Sequence, residues 1–424
     1  MSGASEKVLP GADADAGRQL LGREPRILYV TPYWPVKVTC ASELRAIEIA
    51  RALKAFGQVE MVVVDAEGGV DDYAAAAQKE FPVECGVPVR LRPNQTAAMK
   101  LNWLLNPRSR YPHGCGVDSD AMRRVEALAD SHDLVWFAKL RTPNMFPRWR
   151  WPRAVADIDD VPSTFEASAV KQARGIRGRT LAWLRYWSWR RRDALLGERF
   201  SVLGVCSEPD RRYLAALGVR APVHVIPNGF ARPANPPVRQ PTQPPRIGFI
   251  GIFDYEPNLE GLRWFVRECW PLVKRQLPDA RLRLVGRLSD GPLKPEGTDI
   301  DGLGWVADAN AEMATWSSMV VPILMGAGTR GKIAHAFSVK CPVVSTSIGA
   351  HGYEAADGRE LLLGDTPEAF AAACVKLARE PQAGAVMAER AWNLYLERFT
   401  WDAIRPRIWA AAAEGLRRQR ETGR

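Results

Sequence analysis

Short apolar, β-branched runs alternate with stretches of helical periodicity along the whole chain. Residues 26–31 (RILYVT) read as a strand. Residues 42–56 follow, with Leu44, Ile47, Ile49, Ala50 and Leu53 at helical spacing. Ser42 is the predicted N-cap of that helix and Gly57 its stop. Further strands are predicted at 59–64, 134–137, 154–158, 202–206 and 223–226. Over 227–245 the pattern breaks into a segment with seven prolines, which can form neither a helix nor a central strand and reads as a stiff linker. A second series starts at once. Strands are predicted at 247–250, 280–285, 319–324 and 342–346, and helices at 258–276, 308–317, 329–339 and 367–379. Such alternation predicts parallel sheets covered by helices on both faces.

The division follows from this pattern: an unstructured leader over 1–24, one Rossmann-like domain over 25–226, the linker over 227–245, and a second Rossmann-like domain over 246–395. A final Trp/Ala/Ile-rich helix lies within 396–424. The length of 424 residues agrees, since one core rarely grows past roughly 250–300 residues. Two such halves leave a cleft between them, and ligands of open α/β sheets sit at the carboxyl ends of the strands. No apolar run approaches the roughly 18 residues that span a bilayer. The seven cysteines are scattered and never spaced as CxxC, which argues against a disulfide framework or zinc site and for a reducing cytoplasm. None of the five histidines pairs with Cys or Asp at metal spacing. The net charge of +10 points to an anionic partner, and without a zinc-finger, RNP or homeodomain pattern nucleic acid ranks last.

The most informative segment is 320–347 (VVPILMGAGTRGKIAHAFSVKCPVVSTS). A buried strand runs into Gly326, Ala327, Gly328 and Thr329, and then a helix opens. Glycines let backbone N–H groups approach an anion, and a helix N-terminus carries about half a positive charge. Arg330 and Lys332 in the first turn are unfavourable there by roughly 0.3–1 kcal/mol each unless an anion completes the site. Two solvated basic residues on an ordinary helix are the plainer alternative. Gly326, Gly328 and Gly331 also fit GxGxxG, but no acid for a ribose follows the next strand, which weakens a dinucleotide reading.

Several segments together resemble the family-4 retaining glycosyltransferases, in that family's order: 226–229 (IPNG), 249–258 (FIGIFDYEPN), 281–287 (RLRLVGR), 326–332, 342–346 (PVVST), 349–352 and 358–362 (GRELL). The resemblance covers nearly all of 246–380 and is looser over 26–226. It implies the GT-B architecture, two Rossmann-like domains with parallel sheets facing a central cleft and a last helix, within 396–424, crossing back to the first domain, and retention of anomeric configuration. It further implies a nucleotide-diphosphate sugar as donor, with no cofactor and no bound metal. By that resemblance Arg330 and Lys332 act on the leaving diphosphate, and Gly251, Asn258, Gly326, Gly328, Thr329 and His335 bind the donor. The chain also departs from the family: His335 stands where a Glu binds the ribose, the first Glu of that pattern falls at Ala327, and 36–42 replaces a glycine pair. Arg45 matches a recurrent arginine and is expected on the acceptor side.

Asp157, Asp159 and Asp160 at the end of a strand form an acidic turn with three readings: an acceptor-side or structural role, a DxD metal site, or plain turn chemistry. Lys139 and Arg141 follow another strand toward the cleft and are read either as acceptor-side contacts or as solvated charges. The stretch 171–199 is the most basic of the chain, with Trp183, Trp187 and Arg190 on one helical stripe. It reads as a peripheral membrane contact at the inner face of the membrane or as a domain-covering helix. The expected activity is glycosyl transfer to a glycan or lipid-linked acceptor in bacterial cell-surface polysaccharide synthesis. A sugar-nucleotide epimerase and a non-catalytic sugar-nucleotide-binding subunit are its rivals.

Overall fold

The computed structural model describes residues 13–422 except 36, 37, 39, 66–76, 78, 82, 92–95, 110–114, 118, 147 and 327. Residues 1–12 of the expected leader, part of 36–42, and Ala327 therefore lie outside the described residues. The rest of the leader corrects that expectation. Ala16–Leu21 is a helix, and Leu20 and Leu21 pack on the first core because Gly17 lets the helix close on Pro25 and Phe56.

Two sheets carry the molecule. The first contains β1 (Arg26–Thr31), β2 (Gln58–Asp65), β3 (Val83–Leu91), β4 (Cys115–Val117), β5 (Leu134–Ala138), β6 (Trp151–Asp159), β7 (Phe200–Val205) and β8 (Val223–Val225), in the order β4-β3-β2-β1-β5-β6-β7-β8. All neighbours are parallel except β3 and β4. The second contains β9 (Arg246–Ile250), β10 (Arg281–Val285), β11 (Ile300–Gly302), β12 (Ser318–Val321), β13 (Val343–Ser345) and β14 (Leu362–Leu363). Its order is β11-β10-β9-β12-β13-β14, parallel throughout.

The central strands are buried on both faces, so they read as unbroken apolar runs: Ile27, Leu28, Tyr29 and Val30 of β1 have no exposed surface. Strand order reverses between β1 and β5 in the first sheet and between β9 and β12 in the second. A crevice opens beyond the carboxyl ends at each switch point.

The domains are tied twice. The linker returns along the second domain, where Arg239 donates from Nη1 to Met313 O at 2.6 Å. The helix Trp401–Thr422 crosses back onto the first sheet. Its Ile404, Ile408, Ala411, Ala412 and Leu416 are buried in the first domain's core, and Trp409 Nε1 donates to Ala52 O at 2.7 Å.

Candidate functional site

Both switch points face one cleft. On the second domain, Gly251 follows β9 and the loop 322–330 follows β12. That loop ends on the helix Gly331–Ser338, whose N-cap is Arg330. Gly326 and Gly328 have φ of 132° and 70°, conformations closed to most side chains. Their neighbours need the room as well. A β-carbon at Gly326 would overlap the Arg330 guanidinium, and one at Gly328 would overlap Asp160 Oδ1 from the opposite domain.

Lys332 reaches back past Gly251. Its Nζ donates to Asn258 Oδ1 at 2.8 Å and lies 4.1 Å from the centre of the Phe249 ring. Asn258 is held in turn by its Nδ2, which donates to Ile252 O at 2.9 Å. Asn258 is a neutral partner, and burial first, then the Arg330 charge, push the Lys332 pKa down to about 7. The cleft thus holds Lys332 near a helix N-terminus, in surroundings that disfavour its charge unless an anion arrives. Arg330 is placed by its backbone, whose carbonyl accepts from Tyr353 Oη at 2.7 Å, while Tyr353 Oη itself accepts from Ala334 N at 3.2 Å.

Thr329 joins the domains and turns inward. Asn228 N donates to its Oγ1 at 3.4 Å and Asn228 Nδ2 to its carbonyl at 3.2 Å. Ser168 Oγ of the first domain accepts from Gly326 N at 3.1 Å, and Gln172 Nε2 donates to Leu324 O. Gly331 lies against Ala41, the first residue of the helix Ala41–Phe56, so two helix N-termini meet across the cleft. Cys40, and not Ser42, is that helix's N-cap. Its backbone N–H donates to the Glu43 carboxylate three residues on, a capping box that outcompetes the serine hydroxyl.

The acidic turn divides by residue. Arg45 and Asp157 are buried together, with Nη2 to Oδ1 at 2.6 Å and Nε to Oδ2 at 2.9 Å. Arg45 Nη1 also donates to Ile226 O, Pro227 O and Asn228 Oδ1. Burial works against that guanidinium, but Asp157 outweighs it and holds its pKa well above the ordinary value. This corrects the acceptor-side expectation for Arg45, and at Asp157 it favours the structural one of the two expected roles. Their polar atoms are saturated inside the protein, and they brace the ends of β6 and β8.

Asp159 and Lys139 form an ion pair, and both residues sit in the left-handed region, at φ of 62° and 68°. Non-glycine residues there cost of order 1–3 kcal/mol and cluster at functional sites. Burial, which favours the neutral form, is outweighed at Asp159 by Lys139 and then Arg45, so its carboxyl lies well below the usual range. Asp160 behaves oppositely: burial first, then Asp159, lift it to about 7. Arg141 is exposed, with its guanidinium 5.6 Å from the Tyr33 ring centre.

Asp159, Asp160 and Cys206 place ligand atoms within 4.8 Å of one another. The charge of Asp159 is met by protein groups: Lys139 and Arg45 close on it, and Cys206 Sγ donates to its Oδ1 at 2.7 Å. His335 stacks on Phe230 with ring centres 4.2 Å apart, and its Nε2 lies 2.7 Å from Asn310 Oδ1. In this arrangement the ring serves local packing and does not present Nε2 to a donor. Sequence reasoning missed Ser168, Asn228 and Tyr353, whose roles depend on contacts between elements distant in the chain.

Residues 244–380 match the family described as Glycosyl transferases group 1. Over 133 residues the chain is 29% identical to an uncharacterized 44.6 kDa protein in the cps region of Klebsiella pneumoniae. That match spans 29% of this chain and 34% of the relative. Among solved structures, the chain is similar to HepE of Anabaena in complex with UDP-glucose, with a TM-score of 0.59, 16% identity and coverage of 91% and 98% of the two chains. It is similar to sucrose-phosphate synthase from Thermosynechococcus elongatus, with a TM-score of 0.61, 14% identity and coverage of 95% and 100%. It is also similar to WaaG, a glycosyltransferase involved in lipopolysaccharide biosynthesis, with a TM-score of 0.54, 12% identity and coverage of 91% and 99%. The fold is GT-B, and the match to glycosyl transferases group 1 lies in its second half.

Proposed function

We propose that the protein is a glycosyltransferase. In this reading it moves a sugar from a nucleotide-diphosphate donor to a glycan or lipid-linked acceptor, with retention of configuration, in bacterial cell-surface polysaccharide synthesis. One observation carries it. Lys332 is held by a neutral amide and an aromatic face beside Arg330, at the helix N-terminus where the glycine loop opens. An incoming diphosphate supplies the missing counter-charge. As the bond between the sugar's anomeric carbon and the diphosphate oxygen breaks, negative charge builds on the leaving group. Fixed cations and N–H groups there lower the barrier without reorganising. The acceptor oxygen bonds to the same face of that carbon, and its proton passes to the departing diphosphate.

The relatives support the setting: HepE is described with UDP-glucose, WaaG with lipopolysaccharide biosynthesis, and the Klebsiella protein with a cps region. No helix among the described residues is long and apolar enough to cross a membrane. The proposed membrane contact, at the cytoplasmic face, is peripheral. It uses the outer stripe of the helix Gly175–Asp193, where Ile176, Trp183 and Trp187 are exposed. The structure sorts the arginines of 171–199. Arg185 pairs with Glu166, and Arg192 and Arg199 turn inward, whereas Lys171, Arg174, Arg177, Arg179 and Arg190 face solvent.

Incubation with labelled uridine, guanosine and thymidine diphosphate sugars, with and without a lipid-linked acceptor fraction, tests the reading. Label is expected in an acceptor-dependent product, and transfer is expected to persist in excess EDTA. Donor isomerised without acceptor would establish the epimerase rival, and binding without turnover the non-catalytic one. Activity lost in EDTA and restored by Mn²⁺ would move Asp159 and Asp160 to a metal site.

A further inference from the structure

Behind the turn that follows β5, the first domain has a second cavity that shares no lining residue with the donor loop. It is small, about 30 Å³, and opens to solvent, and Asn144, Trp149, Trp189, Arg192, Arg199 and Ser109 are among its lining residues. The two arginines come from different elements: Arg192 from the end of the helix Gly175–Asp193, and Arg199 from the turn before β7.

Every acceptor they meet is neutral. Arg192 Nη2 donates to Trp103 O at 2.6 Å, Ser109 Oγ at 2.8 Å and Asn106 O at 2.9 Å, and its Nη1 donates to Ser188 Oγ at 3.3 Å. Arg199 donates from Nε to Trp149 O at 3.0 Å and from Nη1 to Asn144 Oδ1 at 2.6 Å. The neighbouring acids are directed elsewhere. Glu198 turns outward to Arg108 at 2.8 Å. Asp193 accepts from Ser163 N at 3.0 Å, and burial first of all lifts its pKa to about 7.

Two guanidinium charges therefore line the cavity with no carboxylate among its described lining residues. Burial pushes both down to about 10, with the like charge of Arg191 adding to the effect at Arg192 and that of Arg192 at Arg199. Concentrated cationic charge without a counter-ion is unfavourable, and a guanidinium pair matches the oxygens of a phosphate. A carboxylate would neutralise one charge, whereas a phosphate monoester dianion meets both. Asn144 uses its Oδ1 on Arg199 and keeps its Nδ2 as a donor, and the indoles of Trp149 and Trp189 supply flat walls for the rest of a ligand.

We propose that this cavity is a phosphate-monoester site, with Arg192 and Arg199 as its cationic ligands. The site stands apart from the diphosphate reading of the cleft, and the experiment keeps the two separable. The double variant R330A/K332A removes the cleft's cations. In that background, inorganic phosphate and glucose 1-phosphate should each raise Tm, by about 2–5 °C at saturation. Vesicles containing phosphatidic acid form the second arm, which separates a lipid phosphate from a soluble one. Phosphate binding supports the site, and vesicle binding supports it only where Asn144→Asp weakens it, because the exposed stripe of Gly175–Asp193 meets anionic vesicles as well.

Adding Asn144→Asp places a carboxylate against Arg199. It should raise Tm without ligand and weaken phosphate binding about tenfold or more, the effect of an internal counter-ion. Arg199→Gln should also abolish binding, but that side chain holds backbone carbonyls, so Asn144→Asp is the decisive change. The proposal is overturned if R330A/K332A abolishes all phosphate response in a folded protein, or if the variant carrying Asn144→Asp responds as its parent does.

Discussion

Between Asn258 and Phe249, the Lys332 ammonium titrates at about 7, so above that pH the free cleft has lost one of its cations. A diphosphate restores the charge and must bring a proton with it, so affinity falls as pH rises, by up to about tenfold per unit. Asp160 works with the same sign. It sits beside Gly328, faced by Asp159, Lys139, Arg330 and Asp210, and ionises near 7, where its new negative charge opposes an anionic ligand. Calorimetric titration with UDP from pH 6 to 9 should show weakening affinity with proton uptake, and Asp160→Asn should flatten part of the slope. An affinity independent of pH would contradict the arrangement. His335, brought down to about 4 by burial, has a different consequence. The unfolded chain takes up this proton first, so the stability contributed by the neutral ring is complete above about 6.5 and is lost as pH falls toward 4. In the sequence Arg330 and Lys332 were legible, because cations at a helix start beside glycines conflict with the local electrostatics. The packing of His335 was not, since Phe230 and Asn310 lie 105 and 25 residues away.

Among the elements, the helix Ala41–Phe56 is positioned by one side chain. Arg45 ties it to Asp157 in β6 and to the carbonyls of Ile226 and Pro227, where the chain leaves the first domain. Arg45→Leu should cost about 3–5 kcal/mol in chemical denaturation, because it strands Asp157 and weakens the hold on Asp159. A loss under about 1 kcal/mol would show the pair to be dispensable. Most central strands were legible because burial on both faces writes them as continuous apolar runs. The short edge strands β4, β11 and β14 were not, since two or three residues carry no period. The helix expected over 258–276 shows a related limit. It begins at Glu256 and loosens into a π-turn at Phe265–Cys269, just before Pro271, which has no N–H to continue the regular ladder.

At the scale of the molecule, the cleft lies beside the exposed basic helix. Ser168 and Gln172 of the preceding helix Pro162–Gln172 touch the donor loop, so a bilayer met by Ile176, Trp183 and Trp187 would lie near the site of transfer. The protein should sediment with anionic vesicles at low salt and be released at high salt, each exposed arginine near the surface adding about 1 kcal/mol. Joint replacement of Trp183 and Trp187 by Ala should weaken that binding, and indifference to anionic vesicles would refute the contact. The two-domain plan was readable from the proline-dense break and the return of the last helix from the GT-B resemblance, but the hydrogen bonds between the domains were not, because they join residues such as Asn228 and Thr329 that a linear pattern cannot pair. The most direct test of the central claim is the turnover of Lys332→Ala with its best sugar nucleotide. The arrangement predicts a fall of about 10²–10³-fold in a folded protein, the size of losing one charge-stabilising group from a transition state. Turnover equal to that of the unaltered protein would contradict it.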